Sequence, residues 1–294
     1  MFKTSAMNRQ FSYFLIPILL VYGVLTLYPL VQSFVYSISD FNGYSLDYNL
    51  IGFSNYLKVF NDSSMASALQ YTILYTIGVT FLITCCAIPL AIICDKKFFG
   101  NNFVRSALFF PSVPSALLLG FVWGFLLNPL GTGVINSVIG QIGVAPIKWL
   151  SDPILARIST ILVAVWQQTG YHTLIYIAYL QSIPEDFYEA AEIEGANKLQ
   201  IFFHITLPQL APAMTVSVML LLTGGLKVYD LPFSLTSGGP GFSTYTVTQA
   251  IIQRGISEGD YGLASALSIV FFLIVLVITV VQQLLMGRRE TRLR

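Results

Sequence analysis

Uncharged apolar runs alternate with short polar stretches along this 294-residue chain. A helix needs about 20 residues to cross the hydrocarbon core of a bilayer, and six of the apolar runs are long enough. The pattern therefore predicts an all-α membrane protein with six transmembrane helices. The predicted spans lie at about residues 11–37, 69–94, 107–127, 154–179, 209–228 and 261–285.

The predicted spans divide the chain into three regions. Residues 1–68 hold the first span and an external loop, and residues 69–286 form a five-span core. Residues 287–294 form a basic tail. Within the core, the loop at 182–208 is long and polar although apolar spans flank it on both sides.

Composition leads to the same class. Apolar residues make up 55% of the chain and charged residues only 10%, whereas about a quarter of the residues are charged in soluble domains. The mean hydropathy is +0.72. So much apolar surface requires the lipid bilayer as a solvent. The net charge of +1 and the lack of a basic patch argue against nucleic acid as a partner.

Basic residues set the expected orientation, because cytoplasmic loops of membrane proteins are rich in lysine and arginine. One side of the six-span pattern collects most of them: Lys3, Arg9, Lys96, Lys97, Arg105, Lys198 and the four arginines of the tail. The other side has Lys58, Lys148 and Arg254. Both termini and the loop 182–208 are therefore expected to be cytoplasmic.

Sequence motifs of catalysis are missing. The chain has no G-x-x-x-x-G-K-[ST] phosphate loop, no H-E-x-x-H and no G-x-S-x-G. It has two histidines, and its three cysteines lie in one apolar run without metal-binding spacing. We expect no enzyme activity, no metal site and no cofactor on this chain. If the protein moves a solute uphill, the energy must come through a partner.

Polar side chains are costly inside a membrane and by default mark transport pathways. The fourth predicted span carries Trp166, Gln167, Gln168 and Tyr171, followed by His172. Aromatic rings that stack on a solute, together with amide groups that donate and accept hydrogen bonds, suit a neutral, hydroxyl-rich solute. The alternative is that these residues form hydrogen bonds between packed helices, as Gln and His commonly do in membranes.

A second candidate pathway group follows the fifth span, at Gly224, Gly225, Lys227, Tyr229 and Asp230. Twin glycines permit a close helix approach or an unwound backbone that lines a cavity. Lys227 and Asp230 can pair if the stretch is helical. The alternative is an ordinary exit from the membrane, with glycine and proline as turn residues.

Local rules predict a helix, a turn and a second helix in the loop 182–208. Ser182 and Glu185 have the spacing of a capping box, in which each side chain bonds the other's backbone N–H. Gly195 can adopt the left-handed conformation that ends a helix. A second helix is predicted from Asn197 to about Thr206, ending before Pro208.

The same loop resembles the EAA motif of ABC importer permeases at every defined position. In that family the loop is the coupling helix, which docks on a separate ATPase subunit. The resemblance assigns ATPase coupling to Glu189, Ala190, Ala191, Gly195, Ile205, Leu207 and Pro208.

Further segments resemble the carbohydrate-uptake branch of these permeases, the maltose and glycerol-3-phosphate types. The relevant runs are Lys227-Val-Tyr-Asp-Leu-Pro and Gly238-Gly-Pro, together with Tyr28-Pro-Leu and Phe53-x-Asn-Tyr. Tyr229 stands where phenylalanine is equally common in that branch. The resemblance covers nearly the whole chain.

The resemblance implies the type I importer permease fold in a bacterial inner membrane. The implied partners are a homologous second permease, two P-loop ATPase subunits that bind ATP and Mg, and an extracytoplasmic sugar-binding protein. Alternatives within the family are permeases for glycerol-3-phosphate, peptides or amino acids. Alternatives outside it are a stand-alone secondary transporter, which lacks carboxylates well inside the predicted spans, and an assembly protein.

Overall fold

The computed structural model describes residues 15–45, 47–96, 98–129 and 133–291. Regular structure in these ranges is helical, apart from one isolated antiparallel bridge between Ser39 and Leu50, so the predicted all-α class is confirmed. The helices are α1 (Leu15–Ser37), α2 (Ser54–Asn61), α3 (Ser63–Asp95), α4 (Asn101–Ser112), α5 (Ala116–Leu126), α6 (Val134–Gln141), α7 (Pro153–Leu180), α8 (Asp186–Ile193), α9 (Lys198–Gln209), α10 (Ala211–Leu226), α11 (Asp230–Thr236), α12 (Val247–Ile252, continued by a π-helical turn to Ser257) and α13 (Tyr261–Thr291).

Among the described residues, three helices are each long and apolar enough to cross a membrane: α1, α3 and residues Tyr261–Leu285 of α13. Two bent pairs pass the same test when each is taken as one broken span. The pair α4 and α5 is bent by 94°, and the pair α9 and α10 by 65°. Helix α7 is 28 residues long, and it carries the polar cluster noted above.

A bend corrects one predicted span. The single helix predicted at 107–127 begins instead at Asn101 and breaks at residues 113–115. Pro114 lies in that break, and a proline has no N–H to continue the helical bonding. The span predicted at about 209–228 contains α10, Ala211–Leu226, which a 65° bend at Leu210 separates from α9.

The described chain falls into two compact units. The larger comprises residues 63–250 and 274–294. Its core is formed by α3, α7 and α10, and Tyr71, Tyr75 and Tyr176 are among its most buried side chains. The Tyr71 hydroxyl lies 2.6 Å from Thr160 Oγ1, which links α3 to α7.

The smaller unit comprises residues 251–273 and the described residues between 15 and 62. Asn55 of α2 is a buried polar residue there, and its amide nitrogen donates to the carbonyl oxygens of Ser37 (3.1 Å) and Ser39 (2.8 Å). Arg254 donates to the carboxylates of Asp62 and Glu258, both at 2.6 Å.

Candidate functional site

Helix α8 of the loop 182–208 stands free of the bundle, because none of its residues is buried. The predicted capping box at its start is absent. The Ser182 hydroxyl donates instead to the carbonyl of Tyr179 (2.7 Å), an acceptor left open at the end of α7. Asp186 and Glu189 lie in the first turn of α8, where negative charge interacts favourably with the helix dipole.

Gly195 ends α8 in the left-handed conformation, with φ of +78°. Its N–H donates to the Glu192 carbonyl (3.0 Å), and the next N–H, of Ala196, reaches back to Ala191 (2.9 Å). No atom lies within 4 Å of where a Cβ on Gly195 would stand. Glycine is therefore required here for its backbone conformation and not for space.

A capping box does form, but at the start of α9. Asn197 Oδ1 accepts from the Gln200 N–H (2.9 Å), and Gln200 Oε1 accepts from the Asn197 N–H (2.8 Å). The prediction that this helix ends near Thr206 is wrong, since it continues through Pro208 to Gln209. A wider π-helical turn at Phe202–Thr206 precedes the proline, and its bonding from residue i to i−5 changes the register there.

The residues assigned to ATPase coupling lie on both short helices. Glu189, Ala190 and Gly195 are exposed, whereas Ala191, Ile205, Leu207 and Pro208 are half-buried. A concave surface of about 430 Å³ lies between α8 and α9, with Ala191, Gly195 and Ile205 in its lining. Tyr188 and Thr206 connect the two helices by a long hydrogen bond of 3.5 Å between their hydroxyls. The loop is thus a single exposed knob with a groove.

A second concavity, of about 630 Å³, lies beside α8 towards the bundle. Its lining includes four carboxylates, those of Asp95, Glu185, Glu189 and Glu192. Gln181 donates to Asp95 (3.1 Å) and so ties the end of α7 to the end of α3. This face of the knob is acidic.

The cluster on α7 does not form one surface. Trp166 and Tyr171 are both exposed, yet five residues of helix separate their directions by about 140°. Gln167 is buried, with its amide nitrogen 3.4 Å from the Pro114 carbonyl at the α4–α5 break. Its Oε1 has no hydrogen-bond partner. Gln168 is half-buried.

The exposed side of α7 changes along its length. The exposed apolar residues of its first half are Ile154, Ile158, Leu162 and Trp166, spaced four apart, and those of its second half are Tyr171, Leu174 and Ala178. The change falls where α4 crosses α7 at Gly170, whose Cβ position would be 1.9 Å from the Leu108 carbonyl oxygen. His172 is buried beside this crossing and lies 2.8 Å from Ser217 Oγ of α10. This hydrogen bond joins two helices, which is the alternative role considered for the polar residues of α7.

The second pathway group lies at a break between α10 and α11. Lys227 and Asp230 are exposed there, and no ion pair joins these two described residues. The pairing required continuous helix, and the chain leaves the helical conformation before Asp230, at Tyr229 (φ −140°). Tyr229 is half-buried and stacks on Phe233, with ring centroids 4.9 Å apart.

The twin glycines of α10 have different surroundings. A Cβ on Gly225 would lie 3.0 Å from Thr76 Cγ2 and Oγ1, so this glycine lets α10 approach α3 closely. A Cβ on Gly224 would meet no atom within 4 Å, and that position is exposed.

We therefore expect opposite effects from the same substitution at the two glycines. Gly224→Ala should be neutral or raise the thermal denaturation temperature slightly, because alanine favours helix by up to about 1 kcal/mol. Gly225→Ala should lower that temperature, because overpacking costs about 1–3 kcal/mol. Thermal denaturation of both variants in the same detergent measures the difference. Equal shifts would contradict the assigned helix contact.

Two arginines that organise the site could hardly be recognised from the sequence. Arg157 lies inside a predicted span and is missing from the positive-inside pattern, yet its Nε donates to the Ser243 carbonyl (2.8 Å) just after Gly238-Gly-Pro. Arg105 donates to the Cys94 carbonyl through Nε (3.0 Å) and Nη2 (2.6 Å), which caps the end of α3. The available clue for Arg157 was that it is a lone arginine in an apolar run. Nothing in the sequence pairs Arg105 with Cys94.

The site as a whole defines a class of protein. A helical membrane bundle carries one exposed helix–glycine turn–helix knob between α7 and α10, and polar groups lie within its central helix. This arrangement is typical of a membrane transport protein.

The family model for binding-protein-dependent transport system inner membrane components matches residues 87–291. The chain belongs to this family of ABC transporter permease subunits, so the resemblance stated from its motifs is confirmed. A probable starch degradation products transport system permease of Thermoanaerobacterium thermosulfurigenes is 33% identical over 281 residues, covering 95% of this chain and 94% of that protein. The trehalose/maltose transport system permease of Thermococcus litoralis is 31% identical over 280 residues, covering 95% and 94%.

The fold has a close counterpart among solved structures. A bacterial ABC transporter involved in the import of the acidic polysaccharide alginate matches with a TM-score of 0.83. The match covers 97% of this chain and 98% of that one, at 22% identity. A second structure shows the alginate transporter with a pentasaccharide-bound periplasmic protein, and its TM-score is 0.84 over 99% of this chain and 98% of that one, at 22% identity. At this identity the likeness concerns the fold.

Proposed function

We propose that the chain is the transmembrane permease subunit of an ATP-driven importer of mono- or oligosaccharides. The observation that carries this proposal is the free-standing helix α8, which ends at a left-handed glycine and has no buried residue. A short helix with such exposure at a membrane surface is suited to insertion into a groove of a partner.

The proposed assembly contains a homologous second permease, two P-loop ATPase subunits and an extracytoplasmic sugar-binding protein. ATP and Mg belong to the ATPases, and this chain supplies no cofactor site. Six spans with both termini in the cytoplasm of a bacterial cell place the knob on the ATPase side. The six are α1, α3, the pair α4–α5, α7, the pair α9–α10 and α13.

Coupling would pass from the knob into the bundle through contacts that already exist. ATPase closure pulls on α8, and α8 is tied to α9 by Tyr188 and Thr206. Helix α9 continues into α10, whose Ser217 bonds His172 of α7. Binding protein and ATP would thus bias the same two-state bundle from opposite sides of the membrane.

Sugar is the proposed substrate class because named relatives transport starch products, trehalose and maltose, and arabinooligosaccharides. Aromatic faces that are accessible in this chain, at Trp166, Tyr171 and Tyr229, suit the apolar faces of sugar rings. Glycerol-3-phosphate or another solute is the alternative within the family.

Two measurements test the proposal. The tagged chain is extracted from its native membranes in mild detergent, and cross-linked partners are identified by mass spectrometry. The co-purified assembly is then reconstituted with its binding protein and assayed for ATP-dependent uptake of radiolabelled maltotriose and arabinotriose, with alanyl-alanine and glycerol-3-phosphate as controls.

We expect a second permease and a P-loop ATPase in the purified material, and ATP-dependent uptake of an oligosaccharide. Recovery of this chain alone after cross-linking would refute the importer. Uptake of a control solute in place of the sugars would refute the substrate class alone.

A further inference from the structure

Helix α2 and the residue before it, Phe53, present three distinct faces: one is buried, one is apolar and exposed, and one is polar and exposed. Asn55 and Val59 form the buried face, at 1% and 6% exposure. Phe53, Leu57 and Phe60 form an apolar stripe, and each is highly exposed, at 74%, 65% and 72%. Because these three residues are spaced by four and three, they lie on one side of the helix.

The third face of α2 is polar. Ser54, Lys58 and Asn61 are exposed and lie together between the stripe and the buried face. Helix α2 is therefore amphipathic, with one apolar and one polar side exposed, and its third side packs against protein.

The position of α2 along the membrane normal follows from its attachments. Asn55 donates to the carbonyls of Ser37 and Ser39, at the end of the apolar helix α1, and the Tyr56 hydroxyl donates to Ser37 Oγ (2.8 Å). One residue, Asp62, separates α2 from the start of α3. The helix is therefore held at the level where α1 ends. Eight residues are far too few to cross a bilayer, so α2 lies at its boundary.

We propose that α2 is an interfacial membrane helix whose Phe53–Leu57–Phe60 stripe is inserted at the boundary between lipid headgroups and acyl chains. The occupant of this exposed face is lipid, because the exposed apolar residues of α1 extend to Phe34 and Val35, within one helical turn of Ser37, where α2 is attached. Phenylalanine and leucine are typical of the apolar side of such helices, with lysine on the polar side. The helix would fix the depth at which α1 ends.

Site-directed spin labelling tests the proposal on the full chain. Cys85, Cys86 and Cys94 are first replaced by alanine. Single cysteines are then introduced by Leu57→Cys or Lys58→Cys, labelled with a nitroxide, and reconstituted in nanodiscs of phosphatidylethanolamine and phosphatidylglycerol with all co-purifying subunits. Power saturation compares collisions with oxygen, which concentrates in lipid, and with a water-soluble nickel chelate. Co-purification of the same subunits shows that each variant is folded.

We expect the label at position 57 to collide several-fold more with oxygen than with nickel, and the label at position 58 to show the reverse. Labels introduced by Phe53→Cys and Phe60→Cys should follow position 57. Nickel access at position 57 equal to that at position 58 would overturn the proposal, because the stripe would then face water. Low access to both reagents would overturn it as well, because a second permease or the binding protein would then cover the stripe. Neither result would affect the proposed transport function.

Discussion

Replacing Gly195 with valine should uncouple transport from ATP hydrolysis without unfolding the chain. A left-handed residue with a Cβ costs about 1–2 kcal/mol, and a β-branched side chain is poorly tolerated there. The turn after α8 should therefore open, and we expect binding of the partner ATPase to weaken about 5–30-fold, the factor equivalent to that free energy. Sugar uptake and pull-down of the ATPase measure the two effects.

Gly195→Asn is the matched control, because asparagine adopts the left-handed conformation more readily than other residues with a side chain. A Cβ at this position meets no atom within 4 Å outside the neighbouring residues, so the first side-chain atom of either substitution has space. We expect this variant to retain most uptake, with an unchanged denaturation temperature in both variants. If the two substitutions behaved alike, the backbone conformation of Gly195 would not be what coupling requires.

Gly170→Ala should have the largest effect on stability. The added Cβ would lie 1.9 Å from the Leu108 carbonyl oxygen and 2.9 Å from Phe109 Cα, and backbone atoms cannot rotate away as a side chain does. Helices α4 and α7 would have to separate. Overpacking of this kind costs about 1–3 kcal/mol and sometimes more, which exceeds the gain in helix propensity of about 1 kcal/mol.

The effect should appear as a lower yield of folded protein and a denaturation temperature reduced by several degrees in detergent. Gly124→Ala in α5 is the control, because a Cβ at that glycine meets nothing within 4 Å. The control should denature at or slightly above the original temperature. A Gly170 variant as stable as the control would show that α4 and α7 are not in contact there.

Local signals in the sequence predicted some of these features well. The predicted span 154–179 corresponds to α7, Pro153–Leu180, whose start is marked by a proline in the first turn. Asp152 caps that turn by accepting from the N–H groups of Ile154 and Leu155, both at 2.9 Å. Gly195 likewise marks its own turn. In each case the residue that determines the structure lies within a few positions of it.

Features that depend on contacts with a second helix could not be predicted from such local signals. Two sites had the spacing of a capping box, and Ser182 failed to form one because α8 begins at Asp186 with Glu185 as its N-cap residue, three positions after Ser182. The Ser182 hydroxyl belongs instead to the end of α7, where it donates to the Tyr179 carbonyl. Gly224 and Gly225 are adjacent and identical in type, and only the position of Thr76 on α3 distinguishes them. Which residues of α7 are buried near Gly170 also depends on where α4 crosses it.

That crossing has a consequence for any solute that moves along α7. The accessible side of the helix lies on one flank up to Trp166 and on another from Tyr171 onward. A route that follows α7 through the bilayer must therefore change flanks at the level of Gln167 and Gly170.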